Sequence, residues 1–364
     1  MKKNSISRRK FIFSATTVAV GSTALGMNII DGCRPKEKIK KDIVSIVRVK
    51  DGNISKAVEE AIDLLGGVNA VTIGKNSILL KPNLVAPDVA STTKIEVVRA
   101  VAKLLQKSGK EVMIGEASAA AESFNSFGEE TFRTRKSEIL DKMQQYVFDT
   151  LGYTEMAKSM NIPLINLHSG DIVEVPLSGG FAAKSVKIHK KLTEVDLVCS
   201  IPMMKTHVMA TVTLAMKNLI GLYPGTEYFS VRSWLHDRAA ERGSEGIAFE
   251  IVDMNRAVKT GLAIIDATTA MEGNGPTGGN LVDMGLIIAG TCPLATDMVG
   301  ATLMGFEINE IPALRLAHKS GMEPGTLEDI EIRGLAMEDT RRKFVRPEIV
   351  KWTDINKFYG VKEL

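Results

Sequence analysis

Apolar and polar residues alternate along this chain in two rhythms that trade places repeatedly. Ile43 to Val49 alternates with the period of a strand, and Ala57, Ala61, Leu64 and Leu65 then recur at helical spacing until Gly66-Gly67 stops them. Short continuous apolar runs follow, each bounded by turn residues: Ser77-Ile-Leu-Leu-Lys-Pro-Asn83, Val112-Met-Ile-Gly-Glu116, Pro163 to His168, Leu197 to Ile201, Leu262 to Asp266 and Met284 to Ala289. Such runs read as buried strands. Helical segments separate them, over Ile95 to Leu105, about Lys136 to Leu151, about Ile247 to Val258, Pro293 to Met304 and near Pro312 to Lys319. Residues 171–192 read as a less regular β excursion, and a strand near Leu327 to Arg333 completes the core. Strand, helix, strand at this spacing predicts an α/β fold with a mostly parallel central sheet flanked by helices.

Function concentrates at the strand ends, because open α/β sheets bind ligands outside the carboxyl edge. The apolar run from Leu197 stops at Pro202, and Lys205, Thr206 and His207 follow at once. A second polar pair, Lys217-Asn218, interrupts an apolar helical stretch before Gly221 and Pro224. Lysines beside a buried strand are costly unless they meet a partner. Lys81 and Asn83, Glu116, Asp266 and Glu272 stand at or near other strand exits. Lys205, His207, Glu116 and Asp266 are thus the candidate catalytic groups. Lys81, Asn83, Lys217 and Asn218 would bind a substrate, with Gly275 and Thr277 of the glycine-rich loop Gly273 to Gly279. His207, Asp266 and Glu272 form a candidate set for a divalent metal. Each residue alone is more often a helix cap, an ion-pair partner or a snorkelling side chain; their common position carries the argument. The loop from Thr226 to Gly246, with Trp234, His236 and Asp237, reads as a long stretch without regular structure, a functional lid or a disordered segment.

Several chemistries are excluded by spacing. Gly273-Asn-Gly-Pro-Thr-Gly278 has the letters of a dinucleotide fingerprint but precedes a strand, not a helix, and Pro276 removes a donor. There is no GxSxG, HExxH or GxxxxGK[ST]. Three cysteines without a CxxC predict no iron–sulfur cluster.

Charge and composition add the cell address. Of 46 basic and 43 acidic residues, the first 32 positions hold five basic and one acidic, leaving 41 and 42 and no case for nucleic acid. Ser7-Arg8-Arg9-Lys10-Phe11-Ile12 before a weakly apolar run reads as a twin-arginine signal over residues 1–32, served by that export machinery. Cys33 after Ile30-Asp31-Gly32 offers a lipid-attachment point, and residues 33–42 form a tether. The expectation is a periplasmic or membrane-anchored protein, reaching a membrane only through signal or lipid. One domain over 43–335 and a C-terminal extension over 336–364, wrapping the outside with Trp352 and Tyr359, complete the division.

Taken together, Lys81-Pro82-Asn83, Gly115-Glu116, Lys205-Thr206-His207, Lys217-Asn218-Leu219 with Gly221, Asp266, Met271-Glu272-Gly273, Gly275-Pro276 and Asp297 resemble the prokaryotic domain of unknown function three-six-two. The resemblance spans roughly residues 40–335 and implies a single α/β domain and no known reaction. Some relatives carry ferredoxin-like iron–sulfur modules, whose cysteines this chain lacks. Where relatives commonly have Asp-Pro opening the late helix, this chain has Cys292-Pro293. The arrangement of strand-end Lys and His is also distantly similar to the lactate racemase family. These readings converge on an exported enzyme acting on a small anionic metabolite, metal-assisted or not. The alternative is a periplasmic ligand-binding or cofactor-carrying protein with the same pocket and no catalysis.

Overall fold

The structure is a computed structural model and describes residues 41–351 and 362–364. The Arg8-Arg9 segment, Cys33, Trp352 and Tyr359 lie outside the described residues. Among the described residues no helix is long and apolar enough to cross a membrane.

The chain opens with β1 (Asp42–Arg48) and α1 (Ile54–Leu64), followed by β2 (Ser77–Pro82), α2 (Ile95–Lys107), β3 (Glu111–Glu116), α3 (Ser137–Thr150) and β4 (Leu164–Asn166). An outer hairpin, β5 (Ile172–Pro176) with β6 (Ser185–His189), is the expected excursion. Then come β7 (Leu197–Ile201), β8 (Met203–His207), β9 (Thr211–Thr213) and the single-turn α4 (Ala215–Asn218). The last part holds α5 (Ser233–Ala240), α6 (Ala248–Ala257), β10 (Thr260–Glu272), β11 (Asn280–Gly290), α7 (Pro293–Leu303), α8 (Pro312–Lys319) and β12 (Ile330–Gly334).

The main sheet runs β12-β1-β11-β10-β7-β2-β3-β4, with β8 beside β10 and β9 beside β8. From β10 to β4 every pair is parallel, whereas β11 is antiparallel to both β10 and β1. The fold is therefore the mostly parallel α/β sheet read from the sequence, with one long antiparallel hairpin set into it. Alternation along the strands feeds two cores. Ile78, Leu80, Cys199 and Ile201 face one side with α1 and α2. Leu79, Val198 and Met204 face the other with α6 and α7. Lys81 and Ser200 share the parity of that second side, which α4 covers.

Two expectations are corrected. β7 does end at Ile201, before Pro202, but no loop follows: Asp266 N–H bonds the Pro202 carbonyl, and β8 begins at the next residue, paired with β10 through a register shift. Lys205 and His207 therefore sit within a strand, not in the loop beyond one. The segment from Thr226 to Gly246 is no structureless lid, because it folds into short helical turns and α5. Residues 335–351 run back over the β10–β11 turn without regular structure. Phe344 is buried there, Gly273 and Val345 are joined by a backbone hydrogen bond, and Val350 N–H bonds the Val208 carbonyl at 2.9 Å.

Candidate functional site

The carboxyl ends of β2 and β3, the end of β8, α4 and the start of α5 enclose a cavity of about 80 Å³. Its lining carries five basic side chains, Lys81, Lys217, Arg232, His207 and His236, and one carboxylate, Glu116.

The β2–β3 wall is complete in itself. Lys81 Nζ donates to Glu116 Oε2 at 2.7 Å, to Asn218 Oδ1 at 3.1 Å and to the Pro82 carbonyl at 2.8 Å. Glu116 also accepts the Leu84 and Ala117 backbone N–H groups, both at 2.9 Å. Asn218 Nδ2 donates to the Lys81 carbonyl and to Ser200 Oγ. Burial pulls the Lys81 ammonium below its ordinary range while Glu116 pulls it back. The pair leaves no room for a side chain at Gly221, where a Cβ would stand 2.6 Å from Lys81 Nζ and collide with Glu116 Oε1. This glycine is required by close approach.

The β8–α4 wall is different. Lys205 is fully buried, and its ammonium meets only carbonyls, Ser91 at 2.6 Å and Pro276 at 3.2 Å. Lys217, on α4, makes no hydrogen bond or ion pair among the described residues. Burial lowers its pKa to about 7, and Lys81 and Arg232 add to the effect against Glu116. Lys217 in turn depresses Lys205, His207 and His236, although burial is the larger cause for each. It is the centre of the charge cluster. Its position is set from beneath by Asp297 on α7, which accepts the Ala215 and Met216 N–H groups at 2.7 and 2.8 Å. Burial raises the Asp297 carboxyl to about 7 in spite of those bonds.

His207 Nδ1 accepts the Met209 backbone N–H at 3.0 Å, so the neutral ring carries its proton on Nε2. Burial and the cations Lys217 and Lys205 hold it well below its usual pKa. A ring with its lone pair occupied and its charged form disfavoured is a hydrogen-bond donor, not a base. The structure thus places His207, the proton-moving candidate of the sequence, in the cavity lining with Nδ1 already engaged.

The third wall was missed. Phe229, Val231 and Arg232 have φ of 62°, 50° and 53°, the left-handed region that non-glycine residues rarely adopt. Each such residue costs on the order of 1–3 kcal/mol and persists only where its surroundings impose it. The bend brings Arg232 inward, where it donates to the Ala117 and Gly221 carbonyls while Nε finds no acceptor. The side-chain Oδ1 of Asn83, also in the lining, finds no donor. The long Thr226 to Gly246 stretch was the only signal in the sequence, and it pointed to the region without naming Arg232.

Other candidates lie elsewhere. Asp266 is fully buried in mid-β10, where it accepts Lys94 N–H at 2.8 Å and Thr268 Oγ1–H at 2.6 Å, and burial raises its pKa. Glu272 accepts Val345 N–H at 3.0 Å from the C-terminal segment. Neither lines the cavity, and among the described residues no group of three or more His, Cys, Asp or Glu is placed to hold a metal. His207, Asp266 and Glu272 are thus not brought together, and a wall of ammonium and guanidinium groups does not fit a divalent cation. Gly273 and Gly275 spend their N–H groups on Val345 and Gly273 carbonyls, so this loop is a tight turn and no anion cradle. Gly275 instead lets the loop press against the Thr206 carbonyl, and Thr277 is exposed. Only Pro276 of this loop reaches the cavity.

Residues 78–302 match the domain of unknown function DUF362. The chain belongs to the DUF362 family. The matched stretch holds every cavity-lining residue. The thylakoid-associated protein sll1697 of Synechocystis sp. is 26% identical over 293 residues, covering 78% of this chain and 81% of that protein. The lactate racemase apoprotein from Thermoanaerobacterium thermosaccharolyticum is similar at TM-score 0.43 and 11% identity, over 73% of this chain and 57% of its own. A solved Thermotoga maritima protein gives TM-score 0.38 and 15% identity, over 74% and 59%. This DUF362 chain therefore spans less than two thirds of either structure, and likeness of that grade says nothing of activity.

Proposed function

We propose that this chain is an exported enzyme that binds a small organic anion at the carboxyl edge of its parallel strands and moves a proton on it with Lys217. The observation that carries the reading is the unequal charge of one small cavity: Lys217 and Arg232 line it beside the depressed imidazoles of His207 and His236, and the single carboxylate there is already held by Lys81 and two backbone N–H groups. Uncompensated buried cations are expensive, and a bound anion removes that expense. In this reading Lys217 and Arg232 supply the attraction, with Lys205 behind the lining, and His207 offers its Nε2–H to an oxygen of the ligand. Lys217, with a pKa near 7, exchanges a proton at neutral pH.

A second reading, a ligand-binding or cofactor-carrying protein without catalysis, is favoured by one observation. Glu116 is fully engaged and His207 is not a base, so Lys217 has no free carboxylate to work with. Export by the twin-arginine route and lipid attachment at Cys33 belong to the same proposal and rest on Arg8, Arg9 and the residues before Cys33.

Differential scanning of the protein against small carboxylates, phosphate and divalent cations tests the site. Small anions should raise the melting temperature in competition with one another. Stabilisation by divalent cations alone would overturn the reading. Turnover of a bound anion, lost in Lys217→Met, separates the enzyme from the carrier.

A further inference from the structure

We propose that Lys217 forms an imine with a small 2-oxo acid, a step that deepens the anion-site reading above and rests on it. Three features of the cavity select this class of ligand. First, the Lys217 amine lines the cavity from α4 with no hydrogen bond or ion pair among the described residues, unlike Lys81, whose ammonium is fully spent. An amine used only for its charge would serve as well in a hydrogen-bonded ammonium. An unengaged amine, its charge opposed by Lys81 and Arg232, is a nucleophile. Every charged or titratable group facing it (Lys81, Lys205, His207, Arg232, His236 and Glu116) is basic except the last.

Second, two buried side-chain atoms of the cavity lining find no hydrogen-bond partner, and they are complementary. Arg232 Nε–H needs an acceptor and Asn83 Oδ1 needs a donor. A halide or sulfate, which has no donor, answers the first and leaves the second unmet. A carboxylate answers Arg232, while the hydroxyl of a carbinolamine or the N–H of a protonated imine answers Asn83. Third, the cavity measures about 80 Å³. A cavity of roughly 150 Å³ takes benzene, so this one suits a ligand of about two or three carbons.

The step balances without a further reactant. The Lys217 lone pair attacks the carbonyl carbon and the C=O electron pair moves to oxygen, which His207 Nε2–H hydrogen-bonds. The amine proton passes to that oxygen, giving the carbinolamine. Loss of water then leaves the C=N bond, and no oxidant or reductant is consumed. The unprotonated amine is the reactive form, so capture rises as pH passes through about 7.

The test treats the full-length protein with glyoxylate or pyruvate and borohydride, which reduces an imine to a stable secondary amine. Intact mass and peptide mapping should show one adduct, at Lys217, suppressed by excess malonate. Lys217→Arg keeps the charge without the amine: it should still be stabilised by malonate and give no adduct there. If malonate stabilises the wild type but no adduct forms, the imine is wrong and the anion site stands. If neither malonate nor the 2-oxo acids shift the melt, the anion site fails and the imine with it. Adducts spread over exposed lysines, and unchanged in Lys217→Arg, would equally overturn the imine.

Discussion

Lys81 and Lys217 line the same cavity and are opposite in circumstance. Lys81, on the β2–β3 wall, has a carboxylate, an amide oxygen and a carbonyl around its ammonium, all within 3.1 Å. Lys217, on the β8–α4 wall, has Lys81 and Arg232 as charged neighbours, with Glu116 opposing them from a distance, and no hydrogen bond or ion pair among the described residues. A buried polar group that the fold already satisfies is part of the scaffold, because its removal strands a partner. One that the fold leaves unsatisfied costs stability and persists for what it does. On the proposed reading the first wall is structure that happens to line the cavity, and the second is kept for the ligand.

Substitution separates the two walls, and the largest effect belongs to the first. Lys81→Met leaves Glu116 buried without its counter-ion, and should cost about 3–5 kcal/mol in denaturant unfolding. Lys81→Met with Glu116→Gln should recover much of that loss; a double variant as unstable as the single would mean that the ion pair is not the cause. Next comes the support beneath α4. Asp297→Ala strips the acceptor from two buried N–H groups and should cost about 1–3 kcal/mol, with anion affinity falling as Lys217 loses its place. Gly221→Ala drives a methyl into the Lys81–Glu116 pair and should cost a similar ~1–3 kcal/mol, chiefly by overpacking. An unchanged melt would show that the wall can move.

The smallest effect on stability is expected at Lys217, and its sign depends on pH. The pKa is depressed in the fold, to about 7 from 10.5, so between those values the unfolded chain binds more protons than the folded one. The cost of this lysine is therefore full below pH 7 and fades as pH rises toward 10.5. Lys217→Met should match or exceed the wild type at pH 6, with the advantage shrinking by pH 10. A pH-independent difference would mean that the amine titrates normally and is not confined as described.

Much of this division was legible before the structure. The continuous apolar runs marked β2, β3, β7 and β11, and the residues just past β2 and at the end of β3 do line the cavity. The errors have physical reasons. Leu262 to Asp266 was read as a whole strand, but β10 continues to Glu272 as half of a hairpin whose alternation includes Thr268 and Thr269. Asp266 accordingly lies mid-strand, capped locally, and not at an exit. Pro202 does close β7, but its carbonyl takes Asp266 N–H and a new strand, β8, starts at the next residue, which puts Lys205 and His207 in the sheet. Arg232 was invisible because a left-handed valine–arginine pair is imposed by packing and leaves no compositional mark. The metal set failed because three carboxyl and imidazole groups near strand ends can still face different neighbours.

The central claim is that the β8–α4 wall is kept for a ligand at the expense of stability. Paired melts of wild type and Lys217→Met at pH 6 and low salt, with and without malonate, test it most directly. The account predicts a variant that melts no lower than wild type without malonate, and a malonate-induced rise that the wild type shows and the variant lacks. A variant that melts markedly lower and still responds to malonate would make Lys217 scaffold, like Lys81, and contradict the account.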